Sequence, residues 1–233
     1  MGRPSFHAAA VAALLLARAG AAQPADTTVA AYDTGAGAAF LLTEFGLGAG
    51  ALARLGIGAG TSLVVEASLG AGRDEREQQF FVGLFGETVT PFKRNYVLMA
   101  PLHAGLERRL FRDAIEDDFR PFVQVTAGPT LAYQWPYFDD ADDDGRRGEG
   151  EERFGPWRGL GRGELRLGAG GTAAFGAYFG RGRATQGLRF GYSGSYFFEP
   201  VELLEEDPAV DGPTRRFFGT PFVSFHLLRL IGS

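Results

Sequence analysis

The chain has 233 residues, 45% of them hydrophobic, 22% charged and none of them cysteine, which fits a single all-β barrel and excludes disulfide frameworks, thiolate metal sites and thiol catalysis. Its net charge of -5 argues against nucleic acid as a partner, since neutralising phosphates takes a concentrated positive face. Glycine at 35 positions is about twice the usual share of roughly 7% and disfavours a helical bundle.

The first element is an address. Gly2 and Arg3 give a short basic start, Ala8 to Leu16 is an unbroken apolar run, and Ala19-Gly20-Ala21 has the small-x-small spacing read by signal peptidases. Residues 1–22 are expected to be a cleaved export signal, 23–34 a short segment, and 35–233 one barrel domain. The apolar run is too short to cross a bilayer as a helix.

From residue 35 the hydrophobic period is two. Gly35 to Thr43 and Gly46 to Leu55 form a pair around a tight turn at Glu44-Phe45. Ser62 to Gly70 sets Leu63, Val65, Ala67 and Leu69 against Ser62, Glu66 and Ser68. Asn95 to Leu110 follows, then Arg120 to Trp135, where Val123, Val125, Ala127, Leu131 and Tyr133 alternate with Gln124, Thr126, Gly128, Thr130 and Gln134. Glu164 to Phe179, Gln186 to Phe198 and Phe217 to Leu227 complete eight predicted strands. Successive side chains of a strand point to opposite faces, so each segment has one apolar and one small or polar face.

The connections alternate in length. Residues 56–61, 111–119 and 180–184 are short, whereas 73–93, 136–158 and 200–214 are long and charged. Such alternation suits an up-and-down barrel with both termini at the short-turn end. Alternation alone does not say which face is inside. The export signal, the strand length, and the aromatics Tyr96, Tyr133, Trp135, Tyr137, Tyr196, Phe197 and Phe198 near the long-loop ends favour apolar side chains facing lipid.

On this strand pattern, with the glycine-rich Gly46-Leu47-Gly48 and Gly168-Ala169-Gly170 and the closing stretch Phe222-Val223-Ser224-Phe225-His226-Leu227, the chain resembles the small eight-stranded outer-membrane β-barrel proteins of Gram-negative bacteria. The resemblance implies a closed eight-stranded antiparallel up-and-down transmembrane barrel with short periplasmic turns and long extracellular loops in the cell outer membrane. It implies outer-membrane lipid and the barrel assembly machinery as partners. Many members end on an aromatic residue, where this sequence reads Leu230-Ile231-Gly232-Ser233.

Eight strands enclose just enough room for side chains to fill. Glu66, Glu107 and Glu164 share a face with Arg166, Arg189 and Arg54, and are expected to form ion pairs that plug the interior. His103, His226 and Ser224 fall on that face too, and the intra-strand spacing of Ser224 and His226 is expected to be too long for a nucleophile–base bond. The sharpest local motif is Asp140-x-Asp142-x-Asp144-Gly145 followed by five residues and Glu151, the ligand spacing of an EF-hand loop, in which Arg146 would supply its backbone carbonyl. Calcium is the implied cofactor. Arg147 stands where EF-hands carry an apolar residue, and strands rather than helices flank the loop.

The resulting expectation is a non-enzymatic, porin-like outer-membrane barrel with a plugged polar interior, a structural or surface-interaction role and a calcium-binding extracellular loop. Two alternatives stay open: a small barrel carrying or transporting an apolar ligand, and a lipid-active outer-membrane hydrolase.

Overall fold

A computed structural model describes residues 34–77, 80–82, 87–115, 118–142, 144–148, 150–180, 183–206, 212 and 214–231. The expected export signal and all of the 23–34 segment except Thr34 lie outside the described residues. The strands are β1 (Gly35–Thr43), β2 (Gly46–Gly58), β3 (Thr61–Gly72), β4 (Phe80–Val82), β5 (Glu87–Val89), β6 (Asn95–Arg109), β7 (Phe119–Pro136), β8 (Glu164–Phe179), β9 (Ala184–Glu202) and β10 (Thr214–Leu230). Leu160–Arg162 forms a single 3-10 turn. No helix among the described residues is long and apolar enough to cross a membrane.

The eight long strands pair antiparallel, each with its neighbour in sequence, and β1 pairs with β10 to close the ring in the order β1-β10-β9-β8-β7-β6-β3-β2. β4 and β5 form a separate hairpin inside the first long loop, which sequence alternation alone did not pick out. β9 and β10 run to 19 and 17 residues, longer than expected, whereas β1 has only 9. β1 pairs with β10 only from Gly35↔Leu230 to Thr43↔Phe222, so β10 continues past the end of β1 toward the long loops. The ladder between β9 and β10 breaks between Arg215 and Phe217, which re-aims the long-loop end of β9.

The alternation resolves into an inside and an outside. Val125, Leu165 and Phe190 face outward at 51%, 63% and 38% exposure, while Glu107 and Arg189 point inward at 1% and 3%. Exposed Phe40, Leu47, Leu63, Leu102, Leu131, Phe175 and Phe225 continue the outward apolar surface across β1, β2, β3, β6, β7, β8 and β10. A soluble barrel would reverse this arrangement, because water favours the charges and not the hydrocarbon.

The interior is layered. At the long-loop end Phe45, Val97, Phe197, Val201, Leu203, Leu204 and Phe218 form an apolar cluster, and toward the short turns Leu52, Phe122, Tyr178 and Leu228 form another. Leu203 and Leu204 belong to the loop after β9, which pairs with the chain entering β6: Arg94 N–H donates to Leu203 O (2.9 Å) and Glu205 N–H to Phe92 O (2.8 Å). These bonds hold Leu203 and Leu204 in the apolar cluster at the long-loop end. Where β6 and β7 approach closely, a Cβ on Gly105 would sit 2.0 Å from the Val125 carbonyl oxygen, so only glycine fits.

Candidate functional site

Between the apolar clusters lies a belt of buried polar groups. Glu66 on β3 pairs with Arg189 on β9 at 2.6 Å and also accepts from Thr126 Oγ1 (2.7 Å) and Gln124 Nε2 (3.3 Å) on β7. Arg189 donates through Nε to Ser224 Oγ (3.0 Å) and stacks over Phe222. Nearer the short turns Arg54 on β2 pairs with Glu107 on β6 at 2.5 Å, and Tyr178 donates to Glu107 at 3.0 Å while its ring lies under the Arg54 guanidinium. Arg189–Ser224 joins the neighbouring strands β9 and β10, whereas the bonds of Glu66 and Glu107 join strands that are not neighbours, and Glu66–Arg189 ties opposite walls of the ring together. The alternating parity of the strands brings Glu66, Glu107, Arg54 and Arg189 to this place.

Glu164 and Arg166 pair at 2.6 Å, but not as an enclosed plug. Glu164 opens β8 at its long-loop end with its side chain 61% exposed, and Arg166 reaches out to it and to Glu199 (3.3 Å), so the cluster belongs to the rim. Parity assigns the face of a residue; how far along the strand it lies decides whether that face is inside the barrel or beyond its edge.

The histidines also correct an expectation. Ser224 Oγ and His226 Nε2 are 3.0 Å apart, within hydrogen-bond reach despite sharing one strand, because the long imidazole side chain spans the distance to the hydroxyl. The pair lacks the other parts of a hydrolytic site. Ser224 Oγ already accepts from Arg189, and His226 Nδ1 has no hydrogen-bond partner among the described residues. Both residues are 1% exposed, and neither lines the interior cavity. His103 Nε2 lies 3.3 Å from Thr130 Oγ1, which in turn meets Ser195 Oγ at 3.4 Å.

That cavity has a volume of about 100 Å³ and is lined from all eight long strands, most heavily by β3. Its lining combines the polar Glu66, His103, Thr130 and Arg189 with the apolar Leu41, Phe45, Leu69 and Phe218. Gly70 leaves open space there, since an added Cβ would meet nothing closer than 3.9 Å, whereas one on Gly48 or Gly50 would run into the β3 backbone at 2.9 and 2.5 Å.

The acidic loop is folded as a turn around its own carboxylates. Asp140 accepts from the N–H groups of Asp144 (3.1 Å) and Gly145 (3.0 Å), Asp144 accepts from Arg146 N–H (2.8 Å), and Gly145 has φ +73°. One carboxylate oxygen each of Asp140, Asp142 and Asp144 lies within 4.8 Å of the others, so three of the expected ligands converge. Glu151 does not join them: its two oxygens accept from Ala141 N–H (2.9 Å) and Gly148 N–H (2.7 Å). Arg146 points its guanidinium away, donating to Glu206 O at 2.6 Å.

The long-loop aromatics divide into three groups. Tyr196 and Phe198 stand exposed on the outer wall. Tyr96, Trp135 and Tyr133 stack on one another, but the loop from Phe154 to Leu160 folds over them, taking bonds from Tyr96 (3.1 Å, to Phe154 O), Trp135 Nε1 (2.8 Å, to Pro156 O) and Tyr133 (to Leu160 O). Tyr137 is buried beyond β7, and Phe197 points into the interior at 0% exposure. The expected outward belt is therefore reduced at Phe197 by its odd position on β9, the same parity as Arg189 and Ser195.

Outside the strands, the first long loop is anchored by charge. Asp74 accepts from Arg76 through a backbone bond (2.9 Å) and side-chain bonds (2.8 and 3.0 Å), and Arg215 lies 3.7 Å away. Burial pushes the Asp74 carboxyl up, but the bonds from Arg76 and the charges of Arg215 and Arg76 outweigh it and leave the group below its ordinary value. Glu77 pairs with Lys93 at 2.5 Å beside it. The chain matches no protein-family model, no curated protein and no solved structure.

Proposed function

We propose that the chain is an outer-membrane β-barrel protein whose ring sits in lipid, with a plugged polar interior and a structural or surface-interaction role. The observation that carries this reading is the orientation of the wall: exposed Val125, Leu165 and Phe190 outside, and Glu107 and Arg189 enclosed. In hydrocarbon every backbone group must be paired internally, and a closed sheet does this with no free edge. Strands of 9 to 19 residues are long enough to cross, since a tilted strand needs about 9–11 residues. The short turns would face the periplasm and the long acidic loops the exterior, and assembly would use the barrel assembly machinery. The crossed ion pairs and the apolar cluster at the long-loop end support a plugged ring and not an open pore.

Calcium is the cation that the acidic loop would take, through Asp140, Asp142 and Asp144 with Glu151 swinging in from its backbone bonds. The buried Ser224–His226 pair, with Arg189 already on the hydroxyl, gives the hydrolase alternative no support. Fractionation with electrophoresis of boiled and unboiled samples tests the reading. It predicts recovery with the outer membrane and a band that shifts on boiling, and release of an unshifted protein into the periplasmic extract would overturn it.

A further inference from the structure

At the short-turn end the outward apolar surface gives way to arginine. Leu63 on β3 pairs with Leu106 on β6, and both are exposed, at 39% and 53%. One step further along the same outward face the pair is Thr61 and Arg108. Beside Arg108 a pocket of about 300 Å³ opens between the turn after β2 and the turn after β6, lined by Ala59, Arg109, Phe111, Arg112 and Asp113. Arg54, Arg166 and Arg189 each meet a glutamate. Arg108 instead donates through Nη1 to Thr61 Oγ1 (2.6 Å) and Ala59 O (3.3 Å), both neutral acceptors. Arg112 has no hydrogen-bond or ion-pair partner among the described residues, and its stem lies over Gly60, where an added Cβ would come within 3.4 Å of Arg112 Cδ. Phe111 adds a second sign of a missing partner. Its backbone sits at φ +52°, in the left-handed region that residues with a side chain rarely adopt, and its carbonyl accepts from the N–H groups of Ala114 and Ile115, both at 3.0 Å. That turn leaves the ring 65% exposed beside the guanidinium groups, a placement that hydrocarbon favours and water does not.

We propose that this pocket binds the phosphate group of a phospholipid in the leaflet at the short-turn end. The inference rests on the ring lying in lipid, which puts Arg108 at the depth where hydrocarbon meets head groups. Phosphate suits the pocket because its oxygens accept from planar guanidinium forks, and Arg108 and Arg112 offer charge that no carboxylate among the described residues neutralises. The volume is some ten waters at roughly 30 Å³ each, room for the phosphate and the glycerol carbons joined to it. A lipid is the source because the pocket opens beside apolar wall: the acyl chains would lie against Phe111, Leu63 and Leu106.

The experiment uses the full chain refolded in dodecylmaltoside, a detergent without phosphate, and follows the backbone amide resonances of Ala59 and Ala114, which line the pocket. Dihexanoylphosphatidylglycerol should shift both resonances saturably, and dihexanoylglycerol, which lacks the phosphate, should not. Inorganic phosphate should need at least about tenfold more, the factor that burying roughly two methylenes supplies. Arg108→Gln, Arg112→Gln should weaken the lipid by about tenfold or more, as expected for lost charge-assisted bonds. Arg112→Gln alone should also weaken it while leaving the far-ultraviolet dichroism unchanged, since Arg112 makes no bond within the barrel. An absent shift in the folded protein, an equal response to dihexanoylglycerol, inorganic phosphate as potent as the lipid, or an undiminished response of Arg112→Gln would overturn the inference alone. A folded chain that stays soluble and monomeric without detergent would overturn both the membrane reading and this one.

Discussion

Glu66→Gln should destabilise the barrel substantially although the replacement is nearly isosteric. Arg189 is 3% exposed and Glu66 is its ion-pair partner at 2.6 Å, so the substitution leaves an enclosed guanidinium with no opposing charge. Breaking a buried pair from one side costs about 3–5 kcal/mol. The lower end, about 3 kcal/mol, applies here because the Glu66 side chain keeps 15% exposure on the cavity and the introduced amide can still accept from Thr126. With a urea m-value of about 2–3 kcal/mol/M, the unfolding midpoint in lipid vesicles should fall by roughly 1–1.5 M, read from fluorescence of Trp135 and Trp157. The double variant Glu66→Leu, Arg189→Leu should recover much of that loss, since replacing both ions with hydrocarbon removes the stranded charge. A Glu66→Gln barrel within about 0.5 kcal/mol of the parent, the range of an ordinary surface change, would refute the reasoning.

Val125→Arg, near the middle of β7 on the outward face, should cost about 2–4 kcal/mol in vesicles as a midplane charge, and a change under about 0.5 kcal/mol would mean that water bathes that wall. Asp74 has a folded pKa below the ordinary 3.8, so its anchoring of the first long loop is complete above that value and is lost as pH falls through the folded one. The Arg76 amide resonance should therefore titrate with a midpoint below 3.8, and a midpoint at or above 3.8 contradicts the anchoring. Calorimetric titration with Ca²⁺ should give a dissociation constant of about 10⁻⁴–10⁻³ M. An Asp142→Ala, Asp144→Ala variant should abolish the heat, and equal heats from parent and variant would reduce the loop to a solvated acidic turn.

Strand number and antiparallel order were legible because a period of two persists through each of eight segments, most plainly from Val123 to Tyr133. Position along the lumen was not. Glu164 and Glu107 share the same parity signal, but one begins a strand at the rim and the other sits deep among Arg54 and Tyr178. Phe197 reads as a belt residue by type, but its odd position on β9, the parity of Arg189 and Ser195, sends it inward beside Val201 and Phe218. The β4–β5 hairpin is three residues per strand, below what periodicity resolves. The Ser224–His226 bond depends on the side-chain conformations, and Glu151's backbone bonds on the coil of one loop; neither follows from spacing.

The orientation of the wall is tested most directly by nitroxide side chains placed singly at Val125, Leu165, Phe190 and Glu107, a labelling made simple by the absence of native cysteine. In vesicles, lipid-dissolved oxygen should relax the first three strongly and a water-soluble nickel chelate should not reach them, while the label at position 107 should be shielded from both. Strong relaxation of Val125, Leu165 and Phe190 by the nickel chelate would contradict the account.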